Sequence, residues 1–407
     1  MSLAGDVWLN LSKKLKVEAK NIENNALLAN LETPIVGEEA QKRKKAGPNL
    51  RGSSRLINKT FTKEKLYFNL SNNHVMDYGK NGLENTLEWC NKNKIPTVGA
   101  GLSYNDARRA LVIEEDGQRI GILGRCERQF GGDLHTRGGV AVVDPSVYPR
   151  VRSLAEKADL VIVSLHGGSE LCPWPSPVWR DRCRALIDAG ASVVHGHHAH
   201  VPQGYETYRE GVIFYGLGNF VAPPERWTDT PNALWSIVPT LAIRNGELSS
   251  WKIETVVLED LSQHVLLREA TQEERRCHRE YLDVCNEPLS KPEKLEALWQ
   301  EVSVRLYRQI YQEWLDFNGK ETTCSGIKSL WRHLGRRLLH FVRSDESKKE
   351  GSINVAGWKT RLWFHLFACE SHREAISVAL GVLGNEYDDL RSKWTKRKVN
   401  KMMPWTV

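Results

Sequence analysis

The sequence predicts an α/β fold followed by a mostly helical C-terminal region, and three observations carry that expectation. Short apolar runs alternate with amphipathic helical stretches from the start to about residue 200, as in α/β cores. From Gly204 to about Leu258 strand patterns follow one another directly, so the sheet system should be mixed. After about residue 260 the strand signals fade and helical periodicity takes over. Two regions are therefore expected, 1–260 and 261–407.

Taken in order, Leu66 to Leu70 reads as a strand. Lys80 to Asn93 reads as a helix, with Leu83, Leu87 and Cys90 spaced to share one face. Arg119 to Leu123, Asp159 to Leu165 and Ser192 to His195 read as buried strands. Helices are expected between them near Val151 to Lys157 and Ser176 to Ala189, with Gly190 placed as a C-cap. Gly211 to Tyr215, Leu234 to Arg244 and Leu248 to Val257 complete the strands. The helical region should contain Glu273 to Cys285, Pro292 to Phe317, Gly326 to Val342, Trp358 to Phe367 and His372 to Val382. Two polar segments read as flexible: Arg343 to Gly351, and Glu38 to Ser54, which is expected to be a mobile flap near the site.

The composition sets limits on function. Of 407 residues, 41% are hydrophobic and 26% charged, which excludes collagen-like, low-complexity and disordered chains. The net charge of +7 falls short of the clustered excess of a dedicated nucleic-acid binder, so nucleic acid is not the expected partner. Beyond residue 260 there are 25 Lys+Arg against 20 Asp+Glu, so most of the excess belongs to the helical region. No stretch reaches the roughly 18 to 20 apolar residues that span a bilayer, and no leader pattern opens the chain. A cytoplasmic location is expected, compatible with peripheral attachment to membrane-associated biosynthesis partners. The eight cysteines are scattered without a C-x-x-C pair and read as buried thiols.

Metal-ligand residue types recur just after predicted strands, where α/β folds gather their sites. These are Asp6 in Gly5-Asp6, Glu32 in Asn30-Leu31-Glu32, and Asn72-Asn73-His74 with Asp77 and Gly79. His166-Gly167-Gly168-Ser169-Glu170 and Gly196-His197-His198-Ala199-His200 follow. Singly, each has a plain structural explanation; a turn favours Asn, and a core histidine is commoner than a ligand. Together they suit a pair of divalent transition metals, manganese, iron or zinc, because imidazole and carboxylate fit these better than calcium. Such a pair clamps a phosphoryl group and activates water, which points to phosphoester hydrolysis.

The series Gly5-Asp6, Asn30-Leu31-Glu32-Thr33, Asn72-Asn73-His74-Val75-Met76-Asp77-Tyr78-Gly79, Gly99-Ala100-Gly101, His166 to Glu170, Gly196 to Val201 with Gln203, and Tyr215 to Phe220 resembles the CapA/PgsA capsule-synthesis family. That family is associated with bacterial poly-γ-glutamate capsule biosynthesis and belongs to the calcineurin-like metallophosphoesterase superfamily. The resemblance runs over about residues 1–255 and implies a four-layer αββα sandwich. It implies Asp6 on one metal, Glu32 in the bridging position, Asn73 and His166 on the second metal, and His198 and His200 with one ion each. His74 would serve as proton donor, while Asp77, Glu170 and His197 would sit behind the ligands, Asp77 orienting His74 and Glu170 orienting His166. The superfamily usually carries Asp-x-His first, whereas Trp8 stands two residues after Asp6. An anionic polymer or a phosphoester is the implied substrate. A non-catalytic protein that holds such a polymer on the same fold is the first alternative, and a phosphodiesterase acting on nucleic acid the second.

Weaker signals surround these residues. Trp174, Trp179 and Trp227 could wall a cleft or pack a long loop. Arg125, Arg128, Arg137 and Arg180 offer forked hydrogen bonds to an anion. The terminal basic cluster with Trp394 and Trp405 reads chiefly as a solvated helix end.

Overall fold

The computed structural model describes residues 1–19, 25–54, 65–129, 138–244, 246–316 and 355–405. It is a mixed α/β protein with a helical C-terminal region. Two compact units emerge: Met1–Lys42 with Leu50–Leu295, and Arg43–Asn49 with Glu296–Val407.

The first unit is built on two large sheets. The nine-stranded sheet runs Lys14–Glu18, His264–Glu269, Glu247–Asp260, Trp235–Arg244, Ser2–Val7, Leu27–Leu31, Leu66–Asn69 and Thr97–Val98, with Asn219–Val221 also paired to Ser2–Val7. Its strands Ser2–Val7, Leu27–Leu31, Leu66–Asn69 and Thr97–Val98 are parallel, while Trp235–Arg244 and Glu247–Asp260 form an antiparallel hairpin. The six-stranded sheet runs Tyr205–Tyr208, Gly211–Phe214, Val193–His197, Leu160–His166, Gln118–Cys126 and Leu111–Glu115. Its four inner strands are parallel and both edges antiparallel, the mixed character that the consecutive strand patterns predict.

Both sheets contribute to one apolar core. Leu3 and Leu28 of the larger sheet cluster with Ile120, Ile162, Val193 and Phe214 of the smaller, so the sheets face each other there. The outer face of the smaller sheet is covered by helices Val147–Ala155 and Pro177–Asp188 through Val151, Leu154, Cys183 and Leu186. On the larger sheet, helix Gly79–Lys92 packs Leu83 and Cys90 against Leu66, Phe68 and Leu70. The i, i+7 spacing of Leu83 and Cys90 is what lets one helix face do this. Ser176 starts the second of the outer helices as its N-cap, accepting from the Trp179 amide, and Pro177 follows at the first helical position.

Several expectations need correction. Strand His264–Glu269 and helix Gln272–Asn286 lie beyond residue 260 yet belong to the first unit, so the units divide at Leu295/Glu296 rather than at 260/261. Strand His264–Glu269 pairs in parallel with Lys14–Glu18, an edge strand whose charged alternation hides it in the sequence. The Glu38 to Ser54 segment is no free flap at its end: Gly52 and Ser53 amides donate to the Pro34 and Leu9 carbonyls, and the Leu50 amide to Asp77. The expected helix Gly326 to Val342, the polar segment Arg343 to Gly351, and Arg137, Trp331 and Cys324 lie outside the described residues.

In the second unit, Pro292–Leu306 continues through a π-helical turn at Tyr307–Tyr311 into Gln312–Asp316, and helices Val355–Ala368, Glu370–Leu383 and Lys393–Met402 follow. Ser392 and Thr395 form a reciprocal capping box that begins the last of these. Among the described residues, no helix is long and apolar enough to cross a membrane.

Candidate metal centre

Strand register assembles the site. Asp6 is paired with Asn30 and with Asn219, Asn30 with Asn69, and His166 with His197, all at the carboxyl ends of parallel strands. The Ser2–Val7 strand reaches its neighbours closely enough that a Cβ on Gly5 would lie 2.0 Å from the Gly218 carbonyl oxygen. That glycine fixes the depth at which Asp6 enters. Gly168 follows His166 with φ of 91°, and a Cβ on Gly167 would meet the Trp179 ring at 2.5 Å. The chain thereby turns sharply away from the site after His166.

Asp6, Glu32, His166, His197, His198 and His200 are all buried, and their donor atoms fall into overlapping groups within 4.8 Å. His166 Nδ1 lies 3.7 Å and His197 Nδ1 4.0 Å from Asp6 Oδ1, while His200 Nδ1 lies 3.4 Å from Asp6 Oδ2. Glu32 Oε1 stands 3.8 Å from both His166 Nε2 and His200 Nε2. Asn73 Oδ1 is 3.0 Å from His166 Nε2, so the structure brings that asparagine to the same imidazole. His198 and His200 are held with φ of 94° and 58°, left-handed values that cost a β-carbon-bearing residue on the order of 1–3 kcal/mol each. Tertiary packing holds both against that strain.

Electrostatics divide the cluster. Burial alone would raise the Asp6 carboxyl, but its contact with His200, the His200 and His197 charges and the His198 amide bring it down to about 2. Burial lowers His200, yet Glu32 and Asp6 overcome it and raise the imidazole to about 10. Glu32 is driven well above the ordinary carboxylate range by burial and by the charge of Asp6. His166 and His197 are pushed well below the ordinary histidine range, first by burial and then by their histidine neighbours. His166 and His197 are thus neutral beside an ionised Asp6, as metal ligands must be, whereas His200 and Glu32 would release protons on binding a metal.

A hydrogen-bond relay sets one tautomer. His195 Nε2 donates to the Ala4 carbonyl at 2.8 Å, which leaves His195 Nδ1 to accept from the Ser164 hydroxyl at 3.1 Å. Ser164 Oγ then accepts from His197 Nε2 at 3.0 Å. The lone pair of His197 is thus on Nδ1, the atom that faces Asp6 and lies 2.9 Å from His166 Nδ1. His166 Nδ1 in turn accepts from Asn30 Nδ2 at 3.3 Å, and the same amide donates to Asp6 Oδ1 at 2.7 Å. Two nitrogens this close share a proton or a cation. The structure thus places His197, expected behind the ligands, in one candidate ligand group with Asp6 and His166.

Glu32 also carries an unsatisfied atom. Trp8 Nε1 donates to Oε2, while Oε1 is buried with no hydrogen-bond partner among the described residues. Trp8 does more than replace a ligand: its indole takes one Glu32 oxygen and packs edge-on to His200 and Trp227, with centroids 5.4 and 5.5 Å away. An oxygen and nitrogen donor set with an orphaned carboxylate oxygen fits divalent transition metals.

At the rim, His74 Nδ1 donates to Asp77 Oδ2 at 2.7 Å, and that oxygen also accepts from the Leu50 amide at 2.7 Å. Glu170, expected to orient His166, instead places Oε1 3.8 Å from His198 Nε2 and is more than half exposed. Trp174 and Trp179 are buried packing residues, whereas buried Trp227 touches the centre, 4.9 Å from the His200 ring. Arg125 and Arg180 are likewise internal, donating to the Gly124 and Leu289 carbonyls. Sequence reasoning passed over Ser164, His195, Asn69 and Gln129. Gln129 Nε2 lies 3.0 Å from His198 Nε2, and Asn69 Nδ2 donates to Asn30 Oδ1 at 3.1 Å. Alternation along Leu160–His166 and Val193–His197 would have placed Ser164 and His195 on the same face as His166 and His197.

The family model for bacterial capsule synthesis protein PGA_cap matches residues 12–224, which include every site residue named here except Asp6 and Trp8. The chain belongs to the bacterial capsule synthesis PGA_cap family. Over 213 residues it is 33% identical to the capsule biosynthesis protein CapA of Bacillus anthracis, covering 50% of this chain and 52% of that protein. Over 258 residues it is 31% identical to the PGA biosynthesis protein CapA of Bacillus subtilis strain 168, covering 60% of this chain and 67% of that one. A probable polyglutamine synthesis accessory protein of Mycobacterium tuberculosis is 33% identical over 166 residues, 37% of this chain and 44% of its own length. The PGA_cap chain thus spans about half the length of the Bacillus anthracis relative. The family match ends at residue 224, before strands Trp235–Arg244, Glu247–Asp260 and His264–Glu269 and the helices that follow them.

Proposed function

We propose that this PGA_cap protein acts in capsule or poly-γ-glutamate-type polymer biosynthesis as a metal-dependent phosphoesterase. The supporting observation is the convergence of Asp6, Glu32, His166, His197, His198 and His200 in overlapping groups of donor atoms, with Asn73 Oδ1 against His166 Nε2 and Glu32 Oε1 unpartnered among the described residues. The two packed sheets with helices outside are read as the four-layer αββα sandwich of metallophosphoesterases. Two divalent ions, manganese, iron or zinc, would supply Lewis-acid stabilisation of a phosphoryl group and activation of water.

The chain's own groups do the rest. Asp6 stays ionised because His200 and the His198 amide hold it, so it offers a fixed negative charge. The Ala4, His195 and Ser164 relay keeps the His197 lone pair directed inward. His74 donates Nδ1–H to Asp77, which leaves Nε2 to hand a proton to the leaving oxygen as the P–O bond breaks, while Asp77 stabilises the charged imidazole. Exclusion of water from the buried cluster strengthens each of these interactions.

Elemental analysis of the purified protein, beside hydrolysis of generic phosphomono- and diesters, tests this. The expected result is about two ions per chain, with turnover lowered roughly 10²- to 10⁴-fold in His74→Ala at unchanged metal content. Metal without turnover, or turnover that survives His74→Ala, would sink the catalytic reading. One observation favours a second reading, a polymer-binding protein without hydrolysis: the Trp8 indole holds the Glu32 oxygen that a bridging role needs. Binding of an anionic polymer by protein that holds metal and hydrolyses nothing would support it.

A further inference from the structure

The first unit contains a second feature that the metal centre does not use. A half-open cavity of about 310 Å³ is lined by Tyr104, Arg108, Arg128, Val142, Asp144 and Ser146. That volume is at the lower end of small-ligand sites.

Its charge is unbalanced. Asp144 is fully engaged: Oδ2 accepts from Arg108 Nη2 at 3.1 Å, and Oδ1 from the Ser146 amide and hydroxyl at 2.9 and 2.5 Å. Arg108 is further fixed with its guanidinium 3.7 Å from the Tyr104 ring centroid. Arg125 is fully buried, donating to the Gly124 and Arg108 carbonyls at 2.6 and 3.4 Å, with no ion pair among the described residues. Burial, then the charges of Arg108 and Arg150, push its guanidinium down to about 10. Arg128 makes no ion pair among the described residues, and the Tyr104 hydroxyl has no hydrogen-bond partner among them. Two guanidiniums thus line the cavity against one carboxylate whose oxygens both already accept, and Arg125 lies against the Arg108 backbone.

The cavity is tied to the metal centre through one short segment. Arg128 stands between Glu127, whose Oε2 accepts from the Gly168 amide at 2.7 Å, and Gln129, which touches His198. Arg128 is thus the chain neighbour of two residues that touch the segments carrying His166 and His198.

We propose that this cavity is an oxyanion subsite in which Arg128, with the Tyr104 hydroxyl, binds a carboxylate or phosphate group of an acidic substrate. It rests on the proposed function for the identity of that substrate. It does not rest on metal or on hydrolysis. Arg108 and Arg125 supply the field, and the planar fork of Arg128 supplies directional hydrogen bonds that a lysine would not reproduce.

The test is calorimetric titration of the chelator-treated full chain with two probes, γ-linked tetraglutamate and inorganic phosphate, at low and moderate salt. Arg128→Ala and Tyr104→Phe are compared with wild type and with the exposed Lys396→Ala, with melting curves to confirm folding. Binding about tenfold weaker in Arg128→Ala, a smaller loss in Tyr104→Phe, partial rescue in Arg128→Lys, and no change in Lys396→Ala are expected. Loss confined to tetraglutamate assigns a carboxylate, and loss confined to phosphate assigns a phosphoryl group. Wild-type affinity in Arg128→Ala for both probes, or no binding of either probe by wild type at millimolar concentration, overturns the proposal while leaving the hydrolysis assay untouched.

Discussion

The two units handle charge in opposite ways. In the sheet-built unit Asp6, Glu32 and five histidines, His166, His195, His197, His198 and His200, are buried at or near strand ends. In the helical unit, Lys393, Lys396, Arg397 and Lys401 stand exposed on Lys393–Met402, and Val399 alone of its apolar side chains is fully covered. Parallel strands satisfy their backbones laterally and bring successive carboxyl ends side by side, so polar side chains can be gathered inside and neutralised by each other. A helix satisfies its backbone within itself and has an outer face, on which lysine is cheapest in water. Buried charge is therefore a property of the topology here, and exposed charge a property of local sequence.

The contrast can be broken most forcefully at Asp6. Asp6→Ala leaves the raised His200 cation with Glu32 but without its second carboxylate partner, and a loss of about 3–5 kcal/mol is expected, together with loss of bound metal. Denaturant unfolding and elemental analysis read the two effects separately. If stability and metal content both survive, the buried charges are not mutually compensated as described.

Trp8→Phe should act more mildly. It removes the indole donor to Glu32 while keeping the aromatic packing on His200 and Trp227, so metal affinity should change about 10- to 100-fold. Metal titration with an unchanged dissociation constant would show that the indole only fills space.

A half-buried charge near the surface of the first unit sharpens the comparison. Glu274 closes a capping box with Thr271, and Arg268 is the main cause that lowers its carboxyl from 4.5 to about 2. Because the folded pKa is depressed, the stabilisation is present above the unfolded value and disappears as pH falls from about 4.5 toward about 2. Glu274→Ala should cost about 1 kcal/mol at neutral pH, and its melting-temperature gap to wild type should narrow steadily below pH 4.5. A gap that does not depend on pH would place the effect in packing. Smallest of all, Lys396→Ala on the exposed face should stay within about ±0.5 kcal/mol and leave metal content unchanged.

Much of this was readable before the fold was known. The period-2 and period-3.6 patterns placed Leu66–Asn69, Leu160–His166 and helices Gly79–Lys92 and Pro177–Asp188 to within a few residues. Placement after strands also singles out the segments that carry Asp6, Glu32, Asn73, His166, His198 and His200, which the structure brings together, because ligand residue types at strand ends stand out against apolar runs. Strand Lys14–Glu18 escaped because an edge strand with charged alternation carries no apolar signal, and His264–Glu269 because it pairs with that distant edge. Neither has a local cause that a window of sequence could report.

What the sequence determined by itself is the set of donors and their family, since residue type and order are local properties. Tertiary structure alone decided how those donors are used. It put Ser164 and His195 behind His197 and so chose its lone pair, and it gave Glu170 to His198 rather than to His166. It also joined the Trp8 indole to Glu32, across 24 residues of chain. Hydrogen-bond direction and charge compensation depend on which groups meet in space, and only the packing of two sheets brings these groups together.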